Sequence, residues 1–391
     1  MKVAKLPSQP KKTLTSVTFD WAPINKSRAR LNRVTNNILS PYFEIAVASR
    51  IIYLIVFAAL SSWTGTRDLV MDSCRYDCYW YLEIANSGYT EKSQALVTPD
   101  DVNWGFFPLF PYLVKILHIA IPLDLRIWGY LINTVLMVTG TVFLGKYLEE
   151  RYGKRVSRVA IVLFCFSPVS VYLNSFYTEA GFFCLIAALI WFIHSEKKIA
   201  IIVTANLLGV TRNTGAIVAI LLVITWQLSK GGGIKRLLKA SLLSSASLAL
   251  LATHILYLQR ISGEFFAISS HHRVNRGNPF IWVWETLSFQ SVLQVGLLGL
   301  FIFAIYVFVS NLRSRDLYEA VILLPAFITS ITYPGFINWR YFLILFPLYL
   351  SLSKILVRNN SKLLFRTVVG IEIAILCFVE YSWLMNYGFM V

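Results

Sequence analysis

From about position 43 to its end the chain alternates long apolar runs with short polar breaks. Most runs approach the roughly 17–25 residues that a helix needs to cross about 30 Å of hydrocarbon. Segments of about ten residues with strict alternation, the mark of a membrane barrel, do not appear. In lipid each span must satisfy its own backbone, so the pattern predicts helices. Spans are expected near 43–63, 126–148, 159–175, 178–194, 199–211, 214–229, 237–257, 291–311, 317–334, 341–357 and 367–386. The expectation is an all-α polytopic membrane protein with about eleven transmembrane helices and its C-terminus outside.

The basic residues decide which breaks face which side. Residues 1–42, with Lys2, Lys5, Lys11, Lys12, Lys26, Arg28, Arg30 and Arg33, read as a loosely ordered cytoplasmic tail, and 43–391 as a single transmembrane domain. No signal peptide is expected before the first span. The other basic breaks lie at 151–158, 197–198, 230–239, 313–315 and 358–366. Placing all of them inside fixes the crossings. One apolar segment, 106–121, is then left over, because counting it would invert every later loop. It carries Pro108, Pro111, Lys115 and His118, costly for a span. It is read as an interfacial helix inside a long first external loop, 64–125, with Lys115 and His118 snorkelling. The remaining external stretches are 175–178, the turn at 211–215, 258–290 and 335–340.

Of 391 residues 57% are hydrophobic and 14% charged, which excludes a soluble domain. The net charge of +16 sits in short loops and sets topology; no nucleic-acid partner is implied. Cys165, Cys184 and Cys377 fall inside spans. Cys74 and Cys78 sit four apart in the first loop, where helical geometry suits a bridge poorly, so they are expected to be unbridged. A Walker loop, a dinucleotide-binding glycine fingerprint, an H-E-x-x-H pair, a zinc-spaced Cys/His set and a cytoplasmic D-x-D are all missing.

The most informative stretch is Arg75-Tyr76-Asp77-Cys78-Tyr79-Trp80-Tyr81-Leu82-Glu83-Ile84-Ala85-Asn86-Ser87-Gly88-Tyr89. Asp77, Trp80, Tyr81, Ile84 and Gly88 share one helical face, with Gly88 a natural stop. Trp and Tyr favour the headgroup zone, so this helix is expected to lie along the surface and hold Asp77 there. A carboxylate so placed can accept a proton from an acceptor hydroxyl. The plainer alternative is that Asp77 only caps the helix, although Trp80 stands where a capping box needs Glu or Gln. Asp72 is the next candidate base, or the cap; Asp100 and Asp101 read as solvated loop charges. Glu179, at the outer mouth of a span behind Tyr177 and Thr178, either supports the site or forms a structural pair with an arginine. Arg212 follows a span of about a dozen residues, so it can face a wet cavity below the surface or simply snorkel. Arg340 is placed similarly. Arg273 and Arg276 with His271 and His272 form a basic external loop that grips either a phosphate or anionic headgroups.

The first loop, with Trp104-Gly105-Phe106-Phe107-Pro108-Leu109-Phe110-Pro111, resembles the GPI mannosyltransferase II (PIG-V) family and its bacterial relatives. Ser167-Pro168 through Ser175, Tyr177, Thr178 and Glu179 resembles the family's S-P…S…Y-[ST]-E segment. Thr211-Arg212-Asn213 with Gly215 resembles its [TS]-R…G turn, and Gly263-Glu264-Phe265-Phe266-Ala267 a segment after its mid-chain span. Trp339-Arg340-Tyr341-Phe342 with Phe346-Pro347-Leu348 resembles its R-Y…F-P-L segment. The likeness covers roughly 45–355. It departs at 271–277, where the family tends to carry Gln and Trp-Gly-Arg.

The resemblance implies a GT-C membrane glycosyltransferase. It would move a sugar, mannose first, from a polyprenyl- or dolichyl-phosphate carrier to a glycolipid or glycan acceptor at the external or lumenal face. Asp77 would be the base, and Arg212 and Arg340 would hold donor phosphate. Tyr81, Tyr177, Glu179, His271, His272, Arg273 and Arg276 would contact substrate or support the site. A lipid-linked donor agrees with the missing nucleotide-sugar signatures. No cofactor is implied, and a divalent metal at Asp77 is left open. The competing readings are a lipid-linked-sugar flippase and a non-catalytic subunit of a glycosylation complex. A bacterial plasma membrane is the expected setting, with the endoplasmic reticulum as the alternative.

Overall fold

The computed structural model describes residues 40–66, 68–90, 102–231, 233–246, 248–265, 267–268, 292–332 and 339–387. The basic tail, Asp100, Asp101, His271, His272, Arg273 and Arg276 lie outside the described residues.

The described residues are helical, without strands. The first half comprises α1 (Pro41–Thr64), the short α2 (Leu69–Asp72), α3 (Cys78–Ser87), α4 (Leu109–Ala120), α5 (Leu125–Tyr152), α6 (Lys154–Cys165) and α7 (Ser170–Asn174). Next come α8 (Glu179–His194), α9 (Lys198–Gly209), α10 (Asn213–Leu228), α11 (Ile234–Ala246) and α12 (Ala249–Ser262). The last five are α13 (Val292–Arg313), α14 (Leu317–Thr332), α15 (Trp339–Leu343), α16 (Phe346–Asn359) and α17 (Lys362–Leu384). α5 runs through the centre, packed on α1, α6 and α8.

By length and apolarity α1, α5 and the stretch Val295–Arg313 of α13 can each cross a bilayer, and α11 with α12, bent by 46°, forms a fourth candidate. α8, α9 and α10 are apolar but shorter. The figure of eleven crossings stays a reading of the sequence.

Polar ties sort the helix ends into two sets. At one end the Tyr42 hydroxyl donates to Glu149 at 2.7 Å, joining the start of α1 to the end of α5. At that same end Arg151 pairs with Asp316 at 2.7 Å, Lys354 with Asp316 at 3.2 Å, and Lys230 with Glu196 at 3.7 Å. These are the breaks that the basic residues assign to the inside. The opposite end gathers Asp72, Asp77, Glu179, Arg212, Arg340 and Trp383.

The pairing bears on the leftover apolar segment. Because the start of α1 meets the end of α5, the two helices are antiparallel, so Thr64 and Leu125 lie at the same end of the bundle. α4, twelve residues long, measures about 18 Å, shorter than the roughly 30 Å of hydrocarbon. Phe110, Pro111 and Val114 face the protein, while Ile116 and Ile119 are 62% and 73% exposed, so α4 is apolar on both its packed and its open side.

One expectation fails. Cys74 and Cys78 are bridged, with Cα atoms 5.3 Å apart. The helical-spacing argument does not apply, because Cys74 precedes the helix. Between the two, Tyr76 takes a left-handed φ of 52°, and the resulting turn folds Cys74 back onto the first residue of α3.

A second irregularity, residues 166–169, separates α6 from α7 around Pro168. Non-helical backbone at depth persists only where its carbonyls find donors. Arg50, buried in α1, supplies one beside the break: it donates to the Cys165 carbonyl that ends α6 at 2.6 Å, and to the Ser170 hydroxyl at 3.2 Å.

Candidate active site

Asp77 occupies the N-cap position of α3, yet its side chain makes no capping bond. Its Oδ2 accepts instead from both terminal nitrogens of Arg340, each at 3.1 Å. A quarter of the Asp77 side chain remains exposed, and no described residue donates to Oδ1. The backbone holds it in place. The Tyr177 hydroxyl accepts the Asp77 N–H at 3.0 Å and donates to the Arg75 carbonyl at 3.0 Å. Directly before it, the left-handed Tyr76 donates to the Tyr387 carbonyl at 2.9 Å, edge-on to Trp383. A bulky residue held at positive φ beside a candidate base is the kind of local strain that clusters at functional sites.

Arg340 sits in the short α15, reached through Trp339 and closed off by α16. Besides Asp77 it pairs with Glu179 through Nε at 3.4 Å. Glu179 in turn accepts from Arg212 at 3.0 Å. Four charges from four separate chain segments thus alternate in sign: Asp77, Arg340, Glu179, Arg212. Glu179 is 2% exposed at its side chain, so it would be costly alone and is held by both guanidiniums.

Aromatic rings wall this chain of charges. The Arg340 guanidinium lies 5.2 Å from the Tyr172 ring and 5.6 Å from those of Tyr177 and Tyr341. Arg212 lies 4.9 Å from Tyr341 and 5.3 Å from Phe182. Such faces favour cations screened from water. Burial works against the charge on Arg340, but Asp77 and Glu179 outweigh it and hold its pKa well above the ordinary value. Burial, with Asp77 nearby, raises the Tyr177 phenol far above its usual range, so it stays a donor.

Arg212 reaches this depth because α9 is short and turns back at once into α10. At Gly215 the backbone passes so near the Leu208 carbonyl that a Cβ would collide with it. Glycine is therefore required for the close approach that places Arg212.

The structure thus unites six of the residues singled out in the sequence: Asp77, Glu179, Arg212 and Arg340, with Tyr177 on the Asp77 backbone and Tyr81 beside it. The Tyr81 hydroxyl lies 3.4 Å from that of Thr178. Of the two readings of Glu179, the ion pair is what is seen, and it engages both arginines. Asp72 does not cap a helix. It accepts from Ser61 at 2.9 Å and Arg75 at 3.0 Å, while Asp68 caps α2. Lys115 donates to the Asn86 carbonyl at 3.3 Å, and His118 meets the Leu123 carbonyl at 2.6 Å.

Some contributors were missed. Asn133, fully buried in α5, donates to the Ser175 and Tyr177 carbonyls and so fixes the loop before Glu179. An amide inside an apolar span was a readable signal. Trp383, whose indole donates to the Asp72 carbonyl at 2.8 Å, gave none, because its contact is with a residue 311 positions away.

Among the described residues no three His, Cys, Asp or Glu side chains gather as a metal site. Both carboxylates of the cluster are engaged by guanidinium.

Fold and site together define a polytopic helical membrane protein with a carboxylate–arginine centre at one membrane face. Its sequence matches the family model for Mannosyltransferase (PIG-V) over residues 58–231, which include Asp77, Tyr81, Tyr177, Glu179 and Arg212; Arg340 lies beyond the matched stretch. No curated protein matches. Among solved structures, an oligosaccharyltransferase from Archaeoglobus fulgidus, in complex with zinc and sulfate, is similar at 12% identity with a TM-score of 0.44. That likeness covers 80% of this chain and 49% of that one, so the chain spans about half that protein's length.

Proposed function

We propose that this chain is a membrane glycosyltransferase that moves a sugar, mannose first, from a polyprenyl- or dolichyl-phosphate carrier to an acceptor hydroxyl at the extracytoplasmic or lumenal face. The observation that carries this reading is the cluster of Asp77, Arg340, Glu179 and Arg212, assembled from four distant segments. A capping aspartate would need none of it. The match to a mannosyltransferase family model over the stretch holding most of the cluster supports the choice of sugar.

In this reading the acceptor oxygen attacks the anomeric carbon, the bond from that carbon to the phosphate oxygen breaks, and the acceptor proton passes to Asp77. The unpartnered Oδ1, on the exposed side of the carboxylate, is the oxygen available to receive it. The lipid phosphate departs with one more negative charge than it carried when bound. Arg340, and Arg212 behind it, are preorganised cations for that charge. Glu179 holds the two like-charged guanidiniums together when no phosphate is bound. Arg340 would loosen its hold on Asp77 as it turns to the phosphate, so donor binding would also free the base.

The test is transfer of labelled mannose from polyprenyl-phosphate-mannose by membranes containing the chain. Wild type should label a lipid or glycan product. Asp77→Asn, at equal expression, should be slower by roughly 10²–10⁴-fold, the usual worth of a positioned base. Equal rates would remove Asp77 from the mechanism, and no transfer by wild type would sink the donor assignment.

A further inference from the structure

α17 is fully packed only in its outer part. Its buried residues, Leu376, Val379, Glu380, Ser382, Trp383 and Leu384, all lie toward the end that carries Trp383 to the site. At the opposite end Leu363 and Leu364 are 76% and 38% exposed. There a cavity of about 210 Å³ opens between the start of α6, the end of α16 and the start of α17. These breaks belong to the inner end, where Lys354 of α16 and Arg151 of α5 meet Asp316. The cavity thus lies across the bundle from Asp77 and takes no part in the cluster described above.

The lining is of two kinds. Val159 of α6, Leu356 and Val357 of α16 and Phe365 of α17 form an apolar wall, and Arg155 and Lys362 add two exposed cations. Their approach is built into the chain. Asn360 takes a left-handed φ of 51° between α16 and α17, and its side-chain oxygen accepts from Arg155, two positions before Lys362. No Asp or Glu joins the lining. The nearby Arg151, Lys154 and Lys354 are each answered by an acid, at 2.7, 3.7 and 3.2 Å. Arg155 and Lys362 form no ion pair among the described residues. Two like charges brought together without a counterion repel each other, and an anion seated with them removes that repulsion.

We propose that this cavity binds a phospholipid of net negative charge from the leaflet at the inner end. Its phosphate would sit with Arg155 and Lys362, and an acyl chain along Val159, Leu356 and Phe365. Each half of the lining argues for a lipid of that charge. A free phosphate would answer the cations and leave the apolar wall bare, and a lipid of no net charge would fill the wall without neutralising them. The chain's own tail, residues 1–42, is basic and would be repelled. Basic side chains close to a membrane attract anionic headgroups, and here the lipid would also fill the gap at the foot of a loosely packed helix. The site stands apart from the transferase reading and needs none of its chemistry.

The test uses the full chain in detergent, titrated with phosphatidylglycerol carrying a diazirine in one acyl chain. After illumination, label should fall on residues 155–159 and 356–365, and the lipid concentration giving half-maximal label is the readout. Arg155→Gln with Lys362→Gln should raise that concentration roughly 30-fold, the usual worth of two basic residues toward an anionic lipid. If losing Arg155 loosens the turn at Asn360 and lowers the melting temperature, Lys362→Gln alone carries the test, at roughly fivefold. Lys235→Gln with Lys239→Gln removes the same charge from another inner break and should leave the midpoint in place. An equal shift from that control would reduce the effect to general attraction and overturn the proposal, as would no shift from the site variants. Phosphatidylcholine labelling these residues at the same midpoint would also overturn it. So would glycerol phosphate displacing the lipid at equal concentration, which would make the ligand a soluble anion.

Discussion

Arg340 touches both carboxylates of the site, and each contact uses a different edge of its guanidinium. The terminal nitrogens face Asp77, while Nε faces Glu179. A lysine carries the same charge as a point and cannot span both. Arg340→Lys is therefore expected to lower transfer by roughly 10²–10³-fold, the usual cost of losing one preorganised donor to a developing anion. Label transfer at saturating donor would measure it, and a loss under about threefold would show that charge alone suffices. Much at this scale was legible in advance: Glu179, Arg212 and Arg340 are charges at breaks in apolar sequence, and Asp77 heads an aromatic helix in the first loop. Which charge meets which was not legible. Glu179 was left between two readings because its partners lie 33 and 161 positions away.

At the scale of elements, the short helices and breaks carry the site. α9 ends early and α10 begins at once, a return that sets Arg212 beside Glu179 and tolerates nothing larger than Gly215. Gly215→Val should force α10 off the Leu208 carbonyl and cost about 1–3 kcal/mol in stability, as overpacking does. Thermal unfolding in detergent measures this, and a melting point equal to that of wild type would show that the turn relaxes freely. The shortness of α9 was readable from the spacing of polar breaks. The role of Arg50 was not, because its acceptor, the carbonyl that ends α6, exists only once Pro168 has broken the helix. The first loop also outran its spacing pattern: a four-residue interval argued against a bridge between Cys74 and Cys78, and one left-handed residue reversed the argument.

For the whole molecule, the two-ended layout followed from the distribution of lysine and arginine, and the ties at each end agree with it. The inner end is itself a charge network. Asp316, in the break between α13 and α14, is pushed up by burial, but Arg151 and Lys354 outweigh this and hold it below the ordinary carboxylate range. A depressed folded pKa gives stability that is present above the unfolded value of about 4 and is lost as the pH falls through the folded one. Asp316→Asn should therefore melt below wild type at pH 6, with the gap closing as the pH falls below about 4. A gap independent of pH would exclude the ion pairs as its source. What stayed out of reach at this scale was the assembly of the outer end, because Trp383 near one terminus and Asp72 near the other meet only in the folded bundle.

The bond between Cys74 and Cys78 has a consequence for how the protein comes to life. Thiols are kept reduced in the cytosol and are oxidised in periplasm, lumen or outside the cell. In the orientation read from the basic loops, the turn that presents Asp77 is therefore finished only after the new chain has delivered its first loop across the bilayer. Until then the chain carries two free thiols and an open hairpin, and a copy inserted upside down would never leave that state. In that orientation synthesis and completion of the site are separated by a compartment boundary, with the membrane itself deciding when the turn is mature.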